Sequence, residues 1–256
     1  YQDLVSKEPF FSSLRGILDS ADANQEHPVL PGDQVELVGG IYFKKVTRYF
    51  EDNKNVLTDI TVAFPAGSLT VVNGDSGSGK TTLADMMCGL LMPSRGEIFI
   101  GPTQLSQRNL SQWRKQVGYI EQEPFLFHDS IRNNICVGQA CFEESDVTEA
   151  LVKAGCWNFV SSLPEGIDSV VGERGTKLSG GQRQRITIAR ALIRKPTFLI
   201  LDEATNGLDQ ETEAEIIETL YSLRGSVTIL FISHKPTILA VADQVIHIEG
   251  GRVRTH

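Results

Sequence analysis

Two short stretches concentrate the residues that could do chemistry. The run Gly74-Asp75-Ser76-Gly77-Ser78-Gly79-Lys80-Thr81, followed by Thr82, fits the spacing G-x-x-x-x-G-K-[ST]. Glycines at these positions let a loop wrap closely, so that successive backbone N–H groups point inward at an anion. Lys80 would then reach a β- and γ-phosphate, and the Thr81 hydroxyl would coordinate a hard divalent cation. A helix following the loop would add the favourable partial charge of its N-terminus. The second stretch is Phe198-Leu199-Ile200-Leu201-Asp202-Glu203, four apolar residues running into two acids. That pattern describes a buried strand delivering carboxylates at its C-terminal end. Asp202 would hold the cation directly or through water, and Glu203 would polarise an attacking water.

The elements needed to position these groups are legible around them. Strand-like segments, Val35–Val38, Ile41–Phe43, Val56–Ile60 and Leu69–Val72, are separated by turn-formers such as Gly39-Gly40 and Pro65-Ala66-Gly67. Apolar strands at Tyr119–Ile120, Phe198–Leu201, Thr228–Ile232 and Val245–Ile248 then alternate with helical stretches at Thr81–Leu91, Gly181–Arg194 and Gln210–Leu223. This alternation predicts a mostly parallel sheet with helices on both faces. Residues 1–34 differ in character. Leu14, Ile17 and Leu18 follow Phe10 and Phe11 at helical spacing, and a polar stretch with Pro28, Pro31 and Gly32 comes after. They read as a short amphipathic helix and a linker.

Bulk composition narrows the function classes. The chain has 256 residues, 41% hydrophobic and 22% charged, with a formal net charge of -8. An acidic balance argues against nucleic acid as a partner, which needs a basic face. Cys88, Cys136, Cys141 and Cys156 form no C-x-x-C pair and read as free thiols. No apolar run approaches the roughly 18 residues of a membrane span. The sequence begins at Tyr1 rather than methionine, as a piece of a longer protein would.

The segment Leu178-Ser179-Gly180-Gly181-Gln182 is more specific. Ser179 and two glycines open a helix, and a helix N-terminus with bare amides and a hydroxyl is a second anion site. Together with the phosphate loop, Gln122, the Asp202-Glu203 pair and His234 in that order, it closely resembles the ATP-binding cassette (ABC) ATPase family, whose signature is LSGGQ. The resemblance covers roughly residues 35–252. It implies an α/β fold of the P-loop NTPase (RecA-like) type: a mostly parallel sheet core, an antiparallel β-subdomain and an inserted helical subdomain at about 123–180. Residues 1–34 would be a linker from a transmembrane domain, 35–252 the nucleotide-binding domain and 253–256 a C-terminal tail.

The resemblance also implies roles residue by residue. ATP and Mg²⁺ would be the cofactors, with Thr81, Gln122 and Asp202 at the metal and Glu203, His234 and Gln122 around the attacking water. Ser179, Gly180, Gly181 and Gln182 of one subunit would close over the ATP held by the phosphate loop of the other, giving a head-to-tail homodimer. Asp209 matches the loop that crosses to the partner, although Asn206-Gly207 departs from the usual Ser-Ala and predicts a more pliable loop. Tyr49 or Phe50 would stack on adenine. Val171-Gly172-Glu173-Arg174-Gly175 resembles the X-loop of exporters, so Glu173, Arg174 and the Gln122 loop would touch transmembrane domains at the cytoplasmic face of a membrane. The alternatives are a stand-alone importer ATPase and a non-transport member of the family. Repair members carry a long coiled coil after the Gln122 position, and no sustained heptads occur here.

Overall fold

The computed structural model describes residues 35–49, 55–137 and 142–254. Phe50, Cys141 and the helix and linker read in 1–34 lie outside them. Among the described residues the strands form two sheets. The smaller holds β1 (Gly40–Tyr49), β2 (Asn55–Pro65), β4 (Arg95–Ile100) and β5 (Thr103–Gln104), all antiparallel, in the order β2-β1-β4-β5. The larger holds β3 (Leu69–Gly74), β6 (Val117–Ile120), β7 (Phe198–Asp202), β8 (Thr228–Ile232), β9 (Gln244–Glu249) and β10 (Arg252–Arg254), in the order β10-β9-β3-β8-β7-β6. Only β10 runs antiparallel there.

The larger sheet is buried on both faces, which explains why its strands read as continuous apolar runs. Side chains alternate between two cores. Val71, Leu199, Leu201, Ile229 and Phe231 face one, and Val72, Phe198, Ile200, Leu230 and Ile232 face the other. Each such residue contributes about 1.5–3 kcal/mol of burial. The first core is covered by helices: α3 (Ile131–Ile135), α4 (Glu144–Lys153), α6 (Gly180–Leu192) and α7 (Gln210–Ser222). The second is closed by α1 (Lys80–Met87), α2 (Leu110–Arg114) and the antiparallel sheet. Helices therefore lie on both faces as expected, and on the second face the antiparallel sheet shares the cover. Between β6 and α6 the chain also forms α5 (Trp157–Ser161) and two 3₁₀ turns. No described helix is long and apolar enough to cross a membrane.

Several element boundaries differ from the sequence reading. Val35–Val38 is not a strand: the Val38 amide donates to the Glu36 carbonyl at 2.8 Å, and this tight turn bends the chain before it can pair. Helix α1 stops at Met87 rather than Leu91, because Gly89 N–H donates to Met86 O and Leu90 N–H to Asp85 O, the two bonds of a Schellman motif. Val253 and Arg254, read as tail, pair with β9. Strand β1 is longer than Ile41–Phe43 because a bulge at Lys44-Lys45 adds one residue, which returns Val46 to the buried face occupied by Ile41 and Phe43.

Candidate functional site

The parallel strands bring the candidate residues to one edge. In-register pairing of Val72 with Ile232, Ile232 with Asp202 and Leu201 with Ile120 aligns the C-terminal ends of β3, β8, β7 and β6. The phosphate loop leaves β3, His234 follows β8, Asp202 ends β7 and Gln122 follows β6. Ligands of open α/β sheets bind outside such carboxyl ends.

The loop is held by its own backbone. Gly74 sits at φ 152°, and a Cβ there would lie 2.2 Å from the Ile248 carbonyl oxygen, so only glycine lets the loop pass β9. Ser78 N–H donates to the Asp75 carbonyl at 3.1 Å. Lys80 Nζ donates to the carbonyls of Gly74 and Asp75 at 2.9 Å each, folding the ammonium over the loop. Ser78 Oγ is buried without a hydrogen-bond partner. A buried hydroxyl left so is costly in a closed protein and fits a loop whose remaining polar partner is an anion. Asp75, Ser76, Gly77 and Thr81 are exposed and Thr82 half-buried.

Across the sheet edge, Thr81 Oγ1 donates to Asp202 Oδ2 at 3.4 Å. A hydroxyl and a carboxylate oxygen at this spacing are hard donors suited to neighbouring positions around Mg²⁺. Burial, opposed by hydrogen bonds, pushes the Asp202 carboxyl above its ordinary range, and the Glu203 charge adds to the rise. Two further residues meet here that the sequence reading did not single out. Tyr119 OH donates to Asp202 Oδ2 at 3.2 Å. Asp85 lies one helical turn beyond Thr81, and burial and the Asp202 charge push its carboxyl up. The i,i+4 spacing of Thr81 and Asp85 on one helix face was the available signal. Tyr119 was hidden in an apolar strand.

Glu203 adopts φ 48°, a conformation that costs a non-glycine residue roughly 1–2 kcal/mol. Its amide donates to the Ile232 carbonyl at 3.0 Å, and Asn206 Nδ2 donates to its Oε2 at 2.6 Å. The loop expected to be pliable is thus tied at its first departing residue to the candidate base. His234 is exposed just after β8, and Gln122 is exposed in a cleft of about 850 Å³ that Asp85, Tyr119 and Asp202 also line. Arg190 on α6 fixes that segment by donating to the Phe125 carbonyl at 2.8 Å.

The Ser179–Gln182 segment forms the N-terminus of α6, with Ser179 exposed. Ser179 caps α6, accepting from Gln182 N–H at 3.2 Å while its own N–H donates to Gln182 Oε1 at 2.9 Å. The capping box uses Ser179 Oγ as acceptor and leaves its O–H free to donate. The two glycines differ. A Cβ on Gly181 would lie 2.3 Å from Thr212 Cγ2, so this glycine seats α6 against α7. A Cβ on Gly180 would meet nothing nearer than Leu208 Cδ2 at 3.4 Å. Asp209 caps α7, accepting from Thr212 N–H at 2.9 Å and Thr212 Oγ1 at 2.8 Å, bonds that hold its carboxyl below the usual range. Glu173 and Arg174 are exposed on a 3₁₀ turn. Tyr49 ends β1, 37% exposed.

The chain is similar to known proteins over nearly all of its length. A family model described as ABC transporter matches residues 57–206. The uncharacterised ABC transporter ATP-binding protein YwjA of Bacillus subtilis is 37% identical over 253 residues, 99% of this chain and 42% of that protein. An ATP-dependent lipid A-core flippase of Alkalilimnicola ehrlichii is 42% identical over 217 residues, 84% of this chain and 37% of the flippase. A bacterial Atm1-family ABC exporter, solved with ATP bound, superposes with a TM-score of 0.80 at 31% identity, covering 94% of this chain and 44% of that one. The chain spans less than half the length of each.

Proposed function

Because the chain belongs to the ABC transporter ATP-binding family, we propose that it is the nucleotide-binding domain of an exporter, hydrolysing ATP across a dimer interface to move a substrate over a membrane. The observation that carries this reading is the 3.4 Å approach of Thr81 to Asp202, with Lys80 folded over the loop and Glu203 one residue on. On this reading Gly74–Thr82 cradles the phosphates of ATP. Thr81, Asp202 and the Gln122 side chain hold Mg²⁺, which supplies charge neutralisation at the β- and γ-phosphates. Glu203 accepts a proton from the attacking water, His234 holds the γ-phosphate in line, and Tyr49 or Phe50 stacks on adenine. Residues 35–252 form this domain, its helical lobe lying at about 123–180, and residues 1–34 link it to a transmembrane domain on the cytoplasmic face.

The partner for the signature segment is a second copy of the domain. Ser179 presents an exposed hydroxyl at the N-terminus of the helix that Gly180, Gly181 and Gln182 begin, a second place for an anion about a hundred residues along the sequence from the phosphate loop. Gly180→Asp tests this. Gly180 has room for a side chain, and an aspartate is favourable in the first turn of a helix, so the variant should fold. Its carboxylate would oppose the γ-phosphate of the partner's ATP. The expected result is retained ATP binding with loss of ATP-dependent dimerisation and hydrolysis. Normal turnover at all protein concentrations would exclude a shared site.

The exporter part draws on the likeness to an exporter and a flippase and on the exposed Glu173-Arg174 turn. Replacing both residues with alanine should leave the basal ATPase of the isolated domain within about twofold, as for a surface change distant from chemistry. In the complete transporter the same change should uncouple hydrolysis from transport, measured as substrate flux per ATP in proteoliposomes. Loss of basal activity in a folded variant would move these residues into the catalytic site.

A further inference from the structure

Behind His234 lies an ion pair that none of the roles above uses, its carboxylate buried and its ammonium largely but not fully covered. Glu213, one turn into α7, is 7% exposed. Its Oε1 accepts from Thr237 Oγ1 at 2.6 Å and its Oε2 from Lys235 Nζ. The same Nζ donates to the Thr205 carbonyl at 2.8 Å. The Lys235 main chain is fixed as well, its N–H donating to Ser233 Oγ at 3.1 Å.

These residues belong to the segments that carry the chemistry. Lys235 directly follows His234. Thr205 lies between Glu203 and Asn206, and Glu213 is on the helix that Asp209 caps. One ammonium group therefore ties the end of β8 to the turn after β7 and to the first turns of α7. Relative movement of these segments would leave a charge buried without its partner, which is expensive in a low-dielectric interior.

We propose that the Lys235–Glu213 pair is a positioning device, locking the His234 segment to the Glu203–Asp209 loop so that both sides of the water-attack geometry move as one body. This rests on the ATPase reading. A pair kept only for stability would be replaceable, because a buried ion pair exchanged for apolar side chains of similar volume is often neutral. A positioning pair would not be, since small displacements of reacting groups cost large factors in rate.

The test compares the unmodified domain with Lys235→Arg, Glu213→Gln and the double variant Glu213→Leu/Lys235→Met. Thermal midpoint, KM and kcat for ATP, and hydrogen exchange of residues 203–209 and 233–238 are read for each. Lys235→Arg, which keeps the charge, should retain kcat within a few-fold. The double variant should melt near the unmodified domain and keep KM within about twofold, yet lose about tenfold or more in kcat, with faster exchange in both segments together. If the double variant folds poorly, Glu213→Gln, which keeps the shape, decides by the same kcat and exchange criteria. Unchanged kcat and unchanged protection in a folded variant would overturn the proposal. An unmodified domain that hydrolyses no ATP would instead refute the ATPase reading and with it the positioning role, and coupled exchange would then show only a structural link between the two segments.

Discussion

Lys80→Ala is expected to abolish measurable ATP hydrolysis while leaving the fold intact. The lysine ammonium donates to two carbonyls of its own loop, Gly74 and Asp75. Its removal frees those carbonyls to water, because Asp75 is exposed. The loop keeps its shape through the Ser78–Asp75 bond and the close passage of Gly74 by Ile248. Stability should therefore change by no more than about 1 kcal/mol, the usual net worth of a hydrogen bond. The effect on nucleotide is larger. A charge-assisted bond to phosphate contributes about 1.5–3 kcal/mol, so ATP affinity should drop by roughly 10–100-fold. Loss of a donor aimed at developing charge removes a further factor of about 10²–10³ from turnover. Fluorescent-nucleotide titration, phosphate release and a melting curve separate the three quantities. Undiminished turnover would sink the phosphate-loop assignment.

How much of this could be read from the sequence depended on the range of the interaction. The phosphate loop, the acidic pair and the signature are contiguous, because each is a backbone device: a loop that needs particular glycines, a strand end, a helix N-terminus. Their residue types follow from local geometry, and the P-loop α/β fold followed from the order in which they occur. Groups that act through long-range packing were not legible. Tyr119 reaches Asp202 from β6, which pairs directly with β7 but lies far from it in sequence, and in the sequence it is merely part of an apolar pair with Ile120. Lys235 and Glu213 lie on separate elements, and nothing in either neighbourhood announces that they meet. The departure at Asn206-Gly207 was visible, but its consequence was not. A longer amide side chain at 206 reaches Glu203, where the sequence alone predicted only added freedom. The false strand at Val35–Val38 has the same origin: its apolar residues are real, yet Val38 is 64% exposed and a local turn takes the hydrogen bonding a strand would need.

Glu203→Gln is expected to separate ATP binding from its consumption. The residue begins the turn after β7 with its main chain pinned to Ile232 and its Oε2 accepting from Asn206. That bond leaves Oε1 to accept from the attacking water. Glutamine matches glutamate in shape and takes φ 48° at a similar cost, and its amide oxygen can still accept from Asn206, so the turn should persist. Basicity is lost, and hydrolysis should fall by roughly the 10²–10⁴-fold of a missing general base. Lys80, Thr81 and the loop amides are untouched, so ATP affinity should remain. With binding intact and conversion to ADP blocked, ATP would stay between the phosphate loop of one copy and the Ser179–Gln182 segment of the other. Size-exclusion chromatography with ATP and Mg²⁺ should then show a dimer for the variant and mostly monomer for the unmodified domain. A variant that lost activity yet stayed monomeric at every concentration would count against ATP as the dimer's glue. One that kept full activity would remove Glu203 from the mechanism and pass the orientation of water to Gln122 or His234.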